Sequence, residues 1–266
     1  MAHRLDGRVA IVTGASRGLG QYCAMAYALE GARVAVVARS KTESNLHLPG
    51  NARVTAEMIR DYGGEAIPVI CDVSDLSDVE AMAKAVFDHY GRIDVLMNNA
   101  GVVWDDPIST IPPRLFEQEI RVNLLGAFYC ARAVLPFMRA NHGGSMINVS
   151  GGGLDHRSHL GAIKHALEVI SQGLADELRG EGIAVNCLRP AGWVDTPGTL
   201  VRAIDQRSLA PPQSYMEAAV LLALQTAGSY TGMVKTDAEV IRDLGDPKQL
   251  SRFMALNPQS WRESLR

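Results

Sequence analysis

In "GGGLDHRSHLGAIKHALEVI", running from Gly151 to Ile170, Lys164 follows Leu160 by four residues. Residues four apart share a helix face. A group at 160 would therefore lie beside the Lys164 ammonium, yet leucine carries no acidic proton. Other chemistry-bearing residues fall in short runs. "VTGASRGLG" holds Gly14, Ser16, Arg17, Gly18, Leu19 and Gly20, and the second apolar run ends at Ala38, Arg39 and Ser40. "CDVSD" holds Asp72 and Val73, and "NNAG" holds Asn99, Ala100 and Gly101. Asn123 lies in "RVNLLGAF" and Thr196 in "RPAGWVDTPG".

The glycine run sits between an apolar strand and a helix. Glycine permits the tight turn and lets backbone approach a pyrophosphate, whose charge suits the helix N-terminus. Alone, such a run also fits a plain strand–helix turn. "NNAG" supports the binding reading, because it ends a strand at the edge where ligands of open α/β sheets sit.

The elements that must position these residues alternate. "RVAIVTG", "RVAVVAR", "AIPVICDV", "IDVLMNNAG", "SMINVSG" and "IAVNCLRP" read as strands. A helix across "LGQYCAMAYALEGA" and others near Val54–Tyr62, Val79–His89, Leu115–Arg139 and Leu160–Arg179 lie between them. This alternation predicts an α/β fold: a Rossmann-type, doubly wound, mostly parallel sheet of about seven strands with helices on both faces. One domain is expected over residues 1–266, with a core at about 6–235 and a divergent, partly helical tail at 236–266. Ser40–Arg53 reads as a polar inserted loop, and both it and the tail read as surface decoration.

A formal net charge of −3 gives no electrostatic case for nucleic acid or an anionic membrane as partner. The longest apolar runs are far too short to span a bilayer, and no secretory leader is read at the start. Cys23, Cys71, Cys130 and Cys187 are scattered without a C-x-x-C, which suits core residues in a reducing compartment, the cytoplasm. No metal site is expected.

The glycine turn, Asp72, "NNAG", Asn123 and Lys164 together make the chain resemble the short-chain dehydrogenase/reductase family over about residues 6–235. The resemblance implies a nicotinamide dinucleotide cofactor and a small-molecule carbonyl or alcohol substrate. By similarity Asp72 contacts the adenine, Asn99 and the Ala100–Gly101 backbone border the ribose, and Thr196 sits where the nicotinamide carboxamide is held. An acidic residue after the second strand would bind a ribose 2′-OH, whereas arginine accommodates a 2′-phosphate. Here the strand ends with Ala38 and Arg39, and Arg17 adds charge on the same side, which favours NADP(H) over two merely solvated arginines. The "PAGWVDT" segment carries one residue, Ala191, beyond the family pattern.

The family's chemistry uses a tyrosine to exchange the proton, a serine to hold the substrate oxygen, a lysine, and an asparagine that holds a relay water. Asn123 and Lys164 match. Leu160 stands at the tyrosine position and Gly151 at the serine position, after Ser150. No other tyrosine has a lysine four residues later, and the loop before Leu160 is shorter than usual. Loss of a positioned acid typically removes about 10²–10⁴-fold in rate. His156 and His159 read as solvated loop residues or substitute donors, Asp155 as a turn residue or an acid, and Lys164 as a ribose ligand or an acid.

The expectation is therefore an NADP(H)-dependent oxidoreductase with non-standard proton delivery. The alternatives are a non-redox enzyme (cyclase, isomerase or lyase), an NADP(H)-binding scaffold or sensor, or a damaged version of an active enzyme. Pro197–Gln213 is expected to cover the pocket, with Trp193, Leu200 and Val201 reading as apolar wall or as ordinary packing. The resemblance implies a homodimer or homotetramer built through the Asn123 and Lys164 helices.

Overall fold

Strands buried on both faces have few places for polar side chains, and β1 (Val9–Thr13) and β2 (Arg33–Ala38) are correspondingly apolar. The structure, a computed structural model, describes residues 3–39, 50–104, 106–151, 158–200 and 205–246. Ser40, Asp155, His156 and Val201 lie outside the described residues.

With β3 (Glu65–Ile70), β4 (Val95–Asn98), β5 (Gly144–Val149), β6 (Ile183–Arg189) and β7 (Val234–Thr236), these form one parallel sheet in the order β3-β2-β1-β4-β5-β6-β7. Alternating residues serve opposite faces. Ala10 and Val12 join one core with α1 (Gly18–Leu29) and α8 (Gln213–Ala223). Val9 and Ile11 join the other, with α3 (Leu76–Tyr90) and α5 (Gly126–Ala140). The doubly wound Rossmann-type expectation is met. Strand order reverses between β1 and β4, so the crevice for a ligand opens at their carboxyl ends.

Local chemistry explains several boundaries. Asp75 caps α3, its carboxylate accepting from the amides of Ser77 (2.8 Å) and Asp78 (3.3 Å). Asn51 caps α2 (Ala52–Asp61) by accepting from the Val54 amide at 3.0 Å. That helix therefore claims Ala52 and Arg53, which the sequence reading gave to the loop. The helix expected over Leu115–Arg139 is α4 (Pro113–Ile120), a π-helical segment (Arg121–Leu125) and α5. By length and composition Pro113–Ala140 is apolar enough to cross a bilayer, which the apolar runs alone did not indicate. Its Cys130, Ala131, Val134 and Met138 are nevertheless buried in the core against the sheet. After α6 (Ser158–Glu177) and β6 come α7 (Pro197–Leu200), α8, β7 and α9 (Asp237–Leu244), the last opened by a capping box between Thr236 and Glu239.

One buried cluster pins the N-terminal segment. Arg4 reaches Glu217 at 2.5 and 2.9 Å and Glu30 at 2.8 Å, and both carboxylates are buried. Lysine keeps the charge but cannot span two carboxylates with a planar fork. Arg4→Lys is expected to cost about 1–3 kcal/mol, read as a lower urea midpoint at unchanged slope.

Candidate functional site

The glycine turn is shaped to bring backbone close to β4. Gly14 and Gly18 have φ of +65° and +60°. A Cβ at Gly14 would lie 2.7 Å from the Ala100 Cα, and one at Gly20 would lie 2.3 Å from Asn99 Nδ2. Asn99 donates its side-chain amide to the carbonyls of Thr13 (2.9 Å) and Gly14 (3.2 Å). Thr13 Oγ1 in turn accepts from the Asn99 and Ala100 amides, each at 3.0 Å. "VTG" and "NNAG" are thus stapled together across the switch point. Arg17 precedes α1 without a side-chain cap, and the first turn has no acidic residue, so its amides remain suited to an anion.

A cavity opens above this staple, lined by Gly14, Ser16, Arg17, Val37, Ala38, Arg39, Gly50, Cys71, Val73, Asn99, Ala100, Gly101, Val102 and Val122. No carboxylate lines it among the described residues. Burial and the neighbouring Arg39 guanidinium both work against the charge on Arg17, lowering its pKa. Arg17 and Arg39 therefore place two like charges on the lining of one cavity. Gly50, at φ +122°, packs onto the turn so tightly that a Cβ would lie 2.3 Å from the Ser16 carbonyl oxygen.

The remaining expected residues distribute unevenly. Asp72 does not line the cavity and accepts from the Ser74 amide (2.9 Å) and hydroxyl (2.7 Å). Leu19 packs its side chain against the core. Thr196 is buried beside Gly18, whose added Cβ would come within 3.7 Å of its own, and its hydroxyl lies 3.2 Å from that of Thr199. The additional Ala191 is held by its amide, which donates to Asp237 at 2.6 Å. Trp193 is 36 % exposed, with Val194 bridging Ala210 across the following segment.

Asn123 sits in the π-helical segment, where the Gly126 amide donates to the Arg121 carbonyl, five residues back. Its side chain donates to the Glu119 carbonyl (3.0 Å) and to the Val102 carbonyl (2.8 Å). It thereby ties the segment after "NNAG" to the long helix. A Cβ at Gly101 would lie 2.8 Å from Asn123 Oδ1, so a larger residue would push that side chain away from its present bonds.

Lys164 donates to the Val149 carbonyl at 2.9 Å and lies with Asn123, Asn98 and Ala100 around one small cleft. Burial pulls the ammonium pKa down to about 8, only partly opposed by Cys187 and Glu168. Leu160, one turn earlier, is buried. Gly151 has φ +84°, and a Cβ there would lie 3.0 Å from Pro190 Cδ. Ser150 does not stand in for a serine at 151, because its hydroxyl donates to the buried carboxylate of Glu168. Arg189 donates to the same carboxylate at 2.8 and 2.5 Å. Burial works to raise the Glu168 pKa, and the bonds from Arg189 and Ser150 overcome it.

One expectation is overturned. His159 is not a solvated loop histidine: α6 has already begun at Ser158, and the ring is 1 % exposed with Nε2 lying 3.2 Å from Glu119 Oε2. Sequence reasoning passed over Glu119, Glu168, Arg189 and Gly50. The signal was present for two of them, since Glu119 is four residues before Asn123 and Glu168 four after Lys164.

The short chain dehydrogenase family model matches residues 8–205. The chain belongs to the short-chain dehydrogenase family. It is 33% identical over 243 residues to D-threitol dehydrogenase of Mycolicibacterium smegmatis, covering 86% of this chain and 90% of that one. A 3-oxoacyl-[acyl-carrier-protein] reductase of Synechocystis is 34% identical over 200 residues, 73% of this chain and 77% of that protein. Among solved structures, gluconate 5-dehydrogenase of Burkholderia cenocepacia, in complex with NADP and tartrate, superposes with a TM-score of 0.76 at 26% identity. That match covers 88% of this chain and 95% of the other. As a family member the chain carries an oxidoreductase fold of the nicotinamide-binding type.

Proposed function

We propose that this short-chain dehydrogenase is an NADP(H)-dependent oxidoreductase of carbonyls or secondary alcohols in which the usual tyrosine and serine do not deliver the proton. The observation that carries it is that Arg17 and Arg39 line one cavity beside a glycine cradle, with no carboxylate lining it among the described residues. The residues present fit the cofactor. The Gly14–Gly20 backbone and the α1 amides would hold the pyrophosphate, Arg17 and Arg39 the 2′-phosphate, and Lys164 the nicotinamide ribose. Val73, Asn99, Ala100 and Gly101 border the adenosine half, and Thr196 the nicotinamide end. When bound, the nicotinamide supplies or accepts the hydride. Mixing the purified chain with NADPH and a panel of ketones tests this, with slow, ketone-dependent loss of NADPH expected. No loss above background across the panel would overturn it.

A second reading, a non-redox enzyme or an NADP(H)-binding scaffold, is favoured by Leu160 and Gly151. Both positions are non-acidic, and the backbone at 151 disfavours any side chain. Tight NADPH binding with no turnover in either direction would select it. A single Rossmann domain, a homo-oligomer and a cytoplasmic location complete the proposal. Phe128 on α5 and Val169 and Ile170 on α6 are large apolar residues left exposed, which supports association with a second copy.

Lys164 makes the binding pH-dependent. Its pKa of about 8 means that the charge facing the ribose is lost as pH rises through that value. NADPH affinity is expected to fall about tenfold between pH 7 and 9 in wild type and to stay flat in Lys164→Met, as followed by calorimetric titration. In the apo protein the linkage runs the other way. Stability rises between pH 8 and the ordinary lysine value of 10.5, because the unfolded chain then binds the proton that the folded one has released.

A further inference from the structure

The buried acid–base pair Glu119–His159 has no part in cofactor binding, yet it touches three segments around the cleft. Glu119 is 0 % exposed and His159 1 %. Glu119 Oε1 accepts from the Trp104 backbone amide at 2.7 Å. Its Oε2 lies 3.2 Å from His159 Nε2, and neither ring nitrogen completes an aligned hydrogen bond among the described residues. Phe116, on the same turn of α4, meets the imidazole edge-on with ring centres 6.2 Å apart.

The placement forms a pattern. Asn123 and Glu119, four apart on the long helix, hold Val102 and Trp104, two apart in the segment leaving β4. One helix face thus grips that segment at two successive points, and His159 ties the grip to the first turn of α6, beside Leu160. A buried carboxylate needs polar partners on both oxygens. Oε2 accepts no hydrogen bond among the described residues, and the imidazole approaches it at 3.2 Å.

We propose that Glu119 and His159 are positioning residues that lock the Val102–Trp104 segment and the Leu160 turn into one wall on the substrate side of the cleft. Without His159, the carboxylate turns toward other donors and releases the Trp104 amide, so the wall loosens while the adenosine side stays as it was. Assigning the wall to substrate rests on the oxidoreductase reading; the lock itself does not.

The chain has three tryptophans, so 5-fluorotryptophan labelling gives three fluorine resonances, with Trp104→Phe identifying the one of interest. In His159→Leu the Trp104 resonance is expected to shift or split, and ketone KM to rise about tenfold, with NADPH affinity unchanged. His159→Gln, which restores an N–H toward Glu119, is expected to recover the single wild-type resonance. If His159→Leu does not fold, Glu119→Gln reads the same contact, keeping an oxygen for Trp104 but no charge for His159. An unmoved Trp104 resonance in the folded variant overturns the lock, whatever happens to the melting temperature. A moved resonance with unchanged KM overturns its role toward substrate. Absence of ketone turnover in the wild type instead counts against the oxidoreductase reading and leaves the resonance test standing.

Discussion

Leu160→Tyr is expected to raise the single-turnover rate of NADPH-dependent ketone reduction about 10²–10⁴-fold, the usual contribution of a positioned general acid. Residue 160 lies one turn before Lys164 in an intact helix, so a phenol there would stand beside the ammonium. A tyrosine near pKa ~10 must fall about three units to exchange protons near neutrality, and an adjacent cation moves it in that direction. Lys164 contributes this charge below about pH 8, which sets the range in which the gain should be seen. Gly151→Ser is the contrasting change. At φ +84°, with its Cβ 3.0 Å from Pro190 Cδ, serine there is strained by about 1–3 kcal/mol. It should lower the melting temperature and add nothing to the rate. Rapid-quench measurements at saturating NADPH and ketone separate the two variants. A Leu160→Tyr enzyme no faster than wild type would show that the cleft no longer presents a substrate oxygen at that turn.

Removing both guanidinium groups of the cavity should be nearly as consequential for binding. Each charge-assisted hydrogen bond is worth about 1.5–3 kcal/mol, so Arg17→Ala with Arg39→Ala is expected to weaken NADPH about 10²–10⁴-fold. NADH lacks the 2′-phosphate, so its affinity should change little. Relief of the repulsion between the two arginines offsets part of the loss. Calorimetric titration of both dinucleotides checks the prediction, and equal losses for NADPH and NADH would place the arginines away from the 2′ position.

The sheet was legible because its strands are largely apolar on both faces and its first turn carries glycines. The largely apolar strands β1, β2 and β6, five to seven residues long, admit few other readings. β7 was not located, because three residues carry no usable period and pair with only Cys187–Arg189 of β6. Helix α8 was passed over because ten of its eleven residues are buried, leaving little polar face to mark a helical period. The glycine turn and its staple to "NNAG" were legible because they rest on backbone and on glycines, whose types show in the sequence. The polar networks were not. Glu119 pairs with His159 and Glu168 with Arg189, residues 40 and 21 positions apart in the chain, and charged residues on an amphipathic helix ordinarily read as solvated. Likewise, Ser150 looks available from its position, and only packing shows that its hydroxyl is committed to Glu168.

Deuterium transfer from NADPH labelled at the nicotinamide C4 to a panel of ketones, followed by mass spectrometry of the alcohols, reads hydride transfer itself. Carbon-bound deuterium is expected in the alcohol, formed slowly by wild type and much faster by Leu160→Tyr. Tight NADPH binding with no labelled alcohol from either protein would contradict the oxidoreductase reading.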